Sequence, residues 1–193
     1  LRARNVPLLR KAIRTYGTCA MLAWDRHQVV GFVRFYSKEI MALSAAGGMC
    51  MQQAFPAGPS GALVETEFPS LAEVEDKTLV VHCLMTGSPQ QTENPYQRKG
   101  LGTRLARALI QWADSQGWEA IEALAFEDIP LFYEITGNAG RRWWERLGFE
   151  ATETYVPPDL RADSHLIRAA TRHAAKLGLE PAKAMERYAM RLE

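Results

Sequence analysis

Two glycines, Gly100 and Gly102, stand at the head of an apolar-periodic run, and two cations, Arg98 and Lys99, stand beside them. Residues of these types at this spacing could hold a polyanion. The first N–H groups of a helix have no partner inside it, and the helix dipole adds partial positive charge there. Residues without Cβ let an oxygen-rich guest approach those amides. Pyrophosphate suits such a cradle, with donors from the backbone of Arg98, Lys99, Gly100, Leu101, Gly102 and Thr103. A tight strand-to-helix turn that binds nothing would use the same glycines.

A second set of residues could move protons. Glu127 and Asp128 follow an apolar run, where a carboxylate can attract and deprotonate a cationic amine; carboxylates in such places are also commonly just solvated. His82 lies inside an apolar run and reads either as a base or as a hydrogen-bonded core residue. Its neighbour Cys83 invites a covalent reading, but no activating group adjoins it in the sequence. Tyr133 offers a phenolic proton, or simply a place in the core or rim. The three cysteines, Cys19, Cys50 and Cys83, show no paired spacing, and no Cys or His pair has zinc-ligand spacing. The expectation is reduced thiols and no metal.

These groups need elements to hold them. Leu101, Leu105, Ala108, Leu109 and Trp112 recur at three and four residues and predict that the glycine loop leads straight into a helix over 103–112, with Gly117 closing it. The run 79–85 before it is short, apolar on both faces and β-branched at Val80 and Val81, which predicts a buried strand. After Gly117, residues 120–125 predict a second strand, so that strand, helix and strand form a parallel βαβ unit. Glu127 and Asp128 then fall at a strand's carboxyl end, where ligands bind in open α/β sheets. Upstream, 6–16 predicts a helix, and 19–24 and 29–36 predict a hairpin around Asp25-Arg26-His27-Gln28. Residues 37–77 are rich in breakers yet too apolar for a disordered linker; they read as an inserted loop, either a binding wall or a surface excursion. Downstream come a helical turn at 131–135, a helix carrying Trp143 and Trp144 up to Gly148, and a strand at 149–156. Pro157-Pro158 ends that core. Beyond it, Leu166, Ile167, Ala170, Ala174 and Leu177 predict one helix. Pro181 with Met185, Tyr188, Ala189 and Leu192 predicts a second.

Gln97-x-x-Gly100-x-Gly102 between strand and helix resembles the acyl-CoA pyrophosphate loop of the GNAT superfamily of N-acetyltransferases. Arg141-Arg142-Trp143-Trp144-Glu145-Arg146-Leu147-Gly148-Phe149 resembles the aromatic-rich helix ending in Leu-Gly-Phe near the close of that core. The resemblance covers roughly 19–155. It implies an α/β (α+β) fold: a mixed, partly parallel, splayed sheet flanked by helices. It implies acetyl-CoA as cosubstrate and an amine as acceptor. Gln97 to Thr103 would hold the pyrophosphate, and amides of Cys83, Leu84 and Met85 would face the thioester. Asn138 resembles the family's pantetheine-binding Asn, although an N-cap explains it equally well. The family often protonates the departing thiolate with a tyrosine on the last core helix; here Trp144 stands at that position and cannot act as an acid. The family core also has a strand ahead of the hairpin. Too few residues precede the hairpin to supply it with the usual helices, so either the N-terminal end is lost or the core is reduced.

Composition bounds the rest. With 193 residues, 47% hydrophobic, the chain suffices for one sizeable core. A net charge of +1 favours neither nucleic acid nor a membrane surface as partner. No apolar run is long enough to span a bilayer, and no signal peptide opens the chain, so a cytoplasmic enzyme is expected. Residues 1–156 are expected to form an acetyl-CoA-binding catalytic domain with an insertion at 37–77, and 157–193 a helical extension. That extension serves packing or homodimer formation more readily than DNA reading. Two rival readings stand beside the enzyme: an acyl-CoA-binding sensor without turnover, and an interaction protein using the C-terminal helices.

Overall fold

A computed structural model describes residues 2–44, 68–87, 94–96, 98–136, 139–156 and 164–193. The chain divides into two units, Leu1–Ile121 and Glu122–Glu193. In the first, helix α1 (Arg2–Tyr16) starts one turn earlier than its apolar spacing predicts and carries Pro7 within it. Strands β1 (Ala20–Asp25) and β2 (Gln28–Ser37) form the expected hairpin, with Arg26 at φ 53 in its turn. A short helix α2 (Lys38–Ser44) follows, and then β3 (Thr78–Thr86), antiparallel to β2. Of the insertion expected at 37–77, residues 45–67 lie outside the described residues.

Helix α3 (Leu101–Gln116) buries Leu101, Leu105, Ala106, Leu109 and Ala113. This stripe is turned from the predicted one: Ala108 faces solvent and Ala106 and Ala113 pack. Gly117, at φ 82, ends the helix by donating its N–H to Ala113 and Asp114 carbonyls. Strand β4 (Ala120–Phe126) then begins beside the start of β3, because the N–H groups of Glu119 and Ala120 both reach the Lys77 carbonyl. The two strands therefore run the same way, as a βαβ unit requires.

The second unit contains helix α4 (Pro130–Thr136), helix α5 (Arg141–Glu145) and strand β5 (Glu150–Tyr155). Helix α6 (His165–Lys176) is capped by Ser164 Oγ, which accepts the Ile167 N–H at 3.1 Å. It buries Ile167, Ala170 and Ala174 as its spacing predicts, while Leu177 is 52% exposed in the turn beyond its end. The predicted second C-terminal helix does not form. Residues Pro181–Met185 make a 3-10 turn, and Arg187–Leu192 make strand β6, antiparallel to β5. Tyr188 and Met190 are buried two residues apart while Ala189 and Arg191 are half-buried, and pairing with β5 outweighs the helical reading of the same residues. Phe126, Ile129 and Phe132 pack with Ala170, Ala174 and Ala184 into one cluster.

The strands run β1-β2-β3 in the first unit and β4-β6-β5 in the second, in a mixed and partly parallel arrangement flanked by helices. Among the described residues no helix is long and apolar enough to cross a membrane.

Candidate functional site

The first unit places the glycine loop at the start of α3. Arg98 at φ 59 and Gly100 at φ 72 turn the chain left-handed into α3. Gly100 is the N-cap, and among the described residues no side chain caps the helix. A Cβ at Gly100 would meet open space, so the backbone angle, and not crowding, is what demands glycine there. Arg98 and Lys99 are exposed beside it. Gln97 lies outside the described residues. The approach to the loop is pinned at both ends. Asn94 Nδ2 donates to the Thr86 carbonyl at 2.5 Å, and its Oδ1 accepts the Tyr96 N–H at 3.0 Å. Tyr96 Oη donates to Asp25 Oδ2 at 2.6 Å, at the β1–β2 turn. Gly31 lets the start of α3 close on β2: a Cβ there would lie 3.2 Å from both Leu101 and Leu105 side chains.

Strand β3 carries a bulge where the thioester-facing amides are expected. Val81 pairs with Phe35 and Cys83 with Arg34, so His82 is the extra residue. A bulge breaks the ladder locally and re-aims side chains. His82 Nδ1 lies 3.0 Å from Arg34 Nη2. A guanidinium only donates, so Nδ1 accepts and the ring proton sits on Nε2. Burial, and then the Arg34 charge, push the imidazole down to about 4. The Tyr36 ring meets His82 edge-on at 5.7 Å, and burial pushes its hydroxyl up to about 12. Burial also raises the Cys83 thiol, against the pull of Arg34. Leu84 is half-buried and Met85 is 39% exposed.

In the second unit the two candidate carboxylates are both engaged. Glu127, 4% exposed, accepts the Asp128 N–H at 3.0 Å and lies 2.8 Å from Tyr188 Oη. Burial alone would raise its pKa, but those two donors and the Arg141 and Lys183 charges outweigh it and hold the carboxyl below its ordinary value. Tyr188 Oη also lies 2.7 Å from Glu186 Oε2. A phenol has one proton, so two carboxylates share it. Burial first, and then both carboxylates, raise the Tyr188 pKa strongly. Arg141 lies over the Tyr188 ring at 5.0 Å. Asp128 Oδ2 accepts the Arg142 N–H at 3.0 Å at the start of α5, and the same carboxylate fills the space where a Gly140 Cβ would stand. Tyr133 is 39% exposed on α4. Asn138 lies outside the described residues. Trp144 is buried between Trp143 and Phe149, at 4.8 Å from each, and its Nε1–H has no hydrogen-bond partner among the described residues.

Arg34, Tyr188 and Glu186 did not emerge from the sequence. The signal for Arg34 and Tyr188 was a charged or phenolic residue inside a strand pattern, and Glu186, just ahead of β6, carried none. For Tyr188, the alternation Tyr188, Met190, Leu192 was also available.

No curated protein sequence matches the chain. Among solved structures, Ard1 from Thermoplasma volcanium aligns at 12% identity over 96% of this chain and 76% of its own, with a TM-score of 0.46. YncA from Salmonella typhimurium, described as an acetyltransferase with its cofactor acetyl-CoA, aligns at 14% over 95% and 68%, with 0.48. A GCN5-related N-acetyltransferase from Kribbella flavida aligns at 15% over 90% and 66%, with 0.43. The residues that match a family pattern are 92–149, just under a third of the chain, and they hold the anion loop, α3, β4 and the Trp143–Trp144 helix. The pattern that this stretch matches is that of the acetyltransferase (GNAT) family.

Proposed function

We propose that the chain is an N-acetyltransferase that moves an acetyl group from acetyl-CoA to an amine by direct attack in a ternary complex. The observation that carries this reading is the uncapped start of α3, with left-handed Gly100 and exposed Arg98 and Lys99 beside it, inside the segment of GNAT type. In this reading Gln97 to Thr103 hold the pyrophosphate, Asn138 contacts pantetheine, and backbone N–H groups of Cys83 to Met85 donate to the thioester oxygen. The acceptor's ammonium gives one proton to Glu127, directly or through water; the amine nitrogen then attacks the thioester carbon, the C–S bond breaks, the second N–H proton passes to solvent, and CoA leaves as a thiolate that is then protonated.

Local chemistry supports direct attack. The Cys83 thiol is raised, so little thiolate exists at neutral pH to act as an acyl carrier. His82 is a poor base, because its free lone pair is already taken by Arg34. Glu127 is held ionised at the carboxyl end of β4 and is the group we propose attracts the ammonium form of the acceptor. Asp128 is committed to α5. Tyr133, exposed, is the proposed donor to the thiolate in place of the residue that Trp144 supplants. The free thiols of Cys19 and Cys83 fit a reducing, cytoplasmic setting.

Gly102→Glu places bulk and negative charge at the proposed phosphate site. Calorimetry should show acetyl-CoA binding lost while circular dichroism stays unchanged; a folded variant with unaltered affinity would overturn the assignment. Trp144 favours a second reading, an acyl-CoA sensor without turnover. A panel of amines separates the two, since a sensor binds acetyl-CoA and releases no free thiol.

A further inference from the structure

We infer that Arg34 anchors a carboxylate of the acceptor, which makes that acceptor an amphipathic α-amino acid. Only the word acceptor rests on the acetyltransfer reading; the carboxylate site stands on its own geometry.

Arg34 sits on β2 on the face turned away from α3. Gly31 and Phe35, at odd offsets from it, face that helix, with Phe35 and Trp112 rings 5.2 Å apart. Arg34 therefore shares its face with Phe32 and Tyr36. Across the ladder it stands opposite Cys83, and the bulge at His82 brings the imidazole onto its Nη2. Among the described residues, Tyr36, Cys83 and Cys19 also lie close enough for its charge to act on their pKa values. None of these neutralises it. Among the described residues no carboxylate pairs with Arg34, and its Nε–H is buried without a partner.

A half-buried guanidinium without a counter-ion is unusual, because removing charge from water is costly unless it is paired. Planar, bidentate recognition of a carboxylate is what a guanidinium does best. The register places Leu22, Phe32 and Met85 in the next row toward the carboxyl end of β3, with Leu22 and Met85 exposed. A guest with a carboxylate head and an apolar body complements both rows. An α-amino acid meets this description and also carries the amine that the transfer needs.

The test begins with binding. 3-Phenylpropionate and its neutral amide, 3-phenylpropanamide, are titrated into the full chain while the His82 imidazole is followed by NMR, assigned with His82→Gln. The carboxylate should bind at least about tenfold tighter than the amide. By neutralising Arg34 it should also move the His82 pKa upward from about 4. Arg34→Gln should abolish both effects, and Arg34→Lys should retain part of the binding, which guards against a variant that merely fails to fold. Equal affinity for acid and amide, or a preference that survives in folded Arg34→Gln, overturns the inference. In turnover, L-phenylalanine should exceed L-phenylalaninamide and phenethylamine through KM, and Arg34→Gln should erase that order. Turnover that ignores the carboxylate overturns the inference alone. Loss of acetyl-CoA binding in calorimetry, with the carboxylate effect on His82 intact, overturns the transfer reading alone.

Discussion

His82 gives the protein a pH dependence opposite in sense to that of a histidine that gains an acidic partner. Its folded value is about 4 against a reference of 6.5. Between these values the unfolded chain binds a proton that the folded chain refuses, so stability falls as pH drops through that interval and levels off below it. The residue is half-buried, so the loss is on the order of 1–3 kcal/mol. Urea denaturation at pH 7 and pH 4.5 should show this slope in the parent and a flatter one in His82→Gln. An equal slope in both would remove His82 as its source. Glu127 works in a lower window: its depressed pKa adds stability above the ordinary carboxylate value that is lost as pH falls further. None of these environments was legible in the sequence. Arg34 and His82 are 48 residues apart, and Glu127 and Tyr188 are 61 apart, so the partners that set each pKa appear only when the sheet forms. The turn into α3 was legible because backbone conformation follows from local glycine placement, as at Gly100.

At the scale of elements, Asp128 shows how a residue suited to chemistry can be claimed by a helix end. Its carboxylate accepts the Arg142 N–H, one of the orphan donors at the start of α5. Asp128→Ala should therefore cost about 1 kcal/mol in thermal denaturation, whereas Asp128→Asn, which still accepts, should cost little. The same pair separates the two roles in turnover. A cap lets Asn retain activity, and a general base does not, so an inactive but fully stable Asp128→Asn would restore the catalytic reading. Strand and helix types were legible where one signal dominated: the short β-branched apolar run in β3 and the three-and-four spacing in α3. They failed at 187–192, where Tyr188, Ala189 and Leu192 satisfy a helix as well as a strand. There the deciding factor was pairing with β5, which no local pattern announces.

At the scale of the whole molecule, the C-terminal stretch is structural. Ala170, Ala174 and Ala184 belong to the same cluster as Phe126, Ile129 and Phe132, and Tyr188 holds Glu127. Removing 159–193 should leave a chain that is largely insoluble or lacks a cooperative melt, where a detachable helical extension would leave the melt intact. Sedimentation and circular dichroism of the truncated chain decide between the two. The interior position of β6 has a further consequence for how the molecule assembles. Strand β5 precedes β6 in the chain, yet β6 lies between it and β4. Until Arg187–Leu192 arrives, β4 presents an open edge and β5 has no neighbour to join, so the sheet cannot be zipped up in sequence order. The closing step must bring together segments more than sixty residues apart, which makes it entropically slow and late. The nascent sheet is thus most prone to pairing with a wrong strand, including one from another molecule, during that interval.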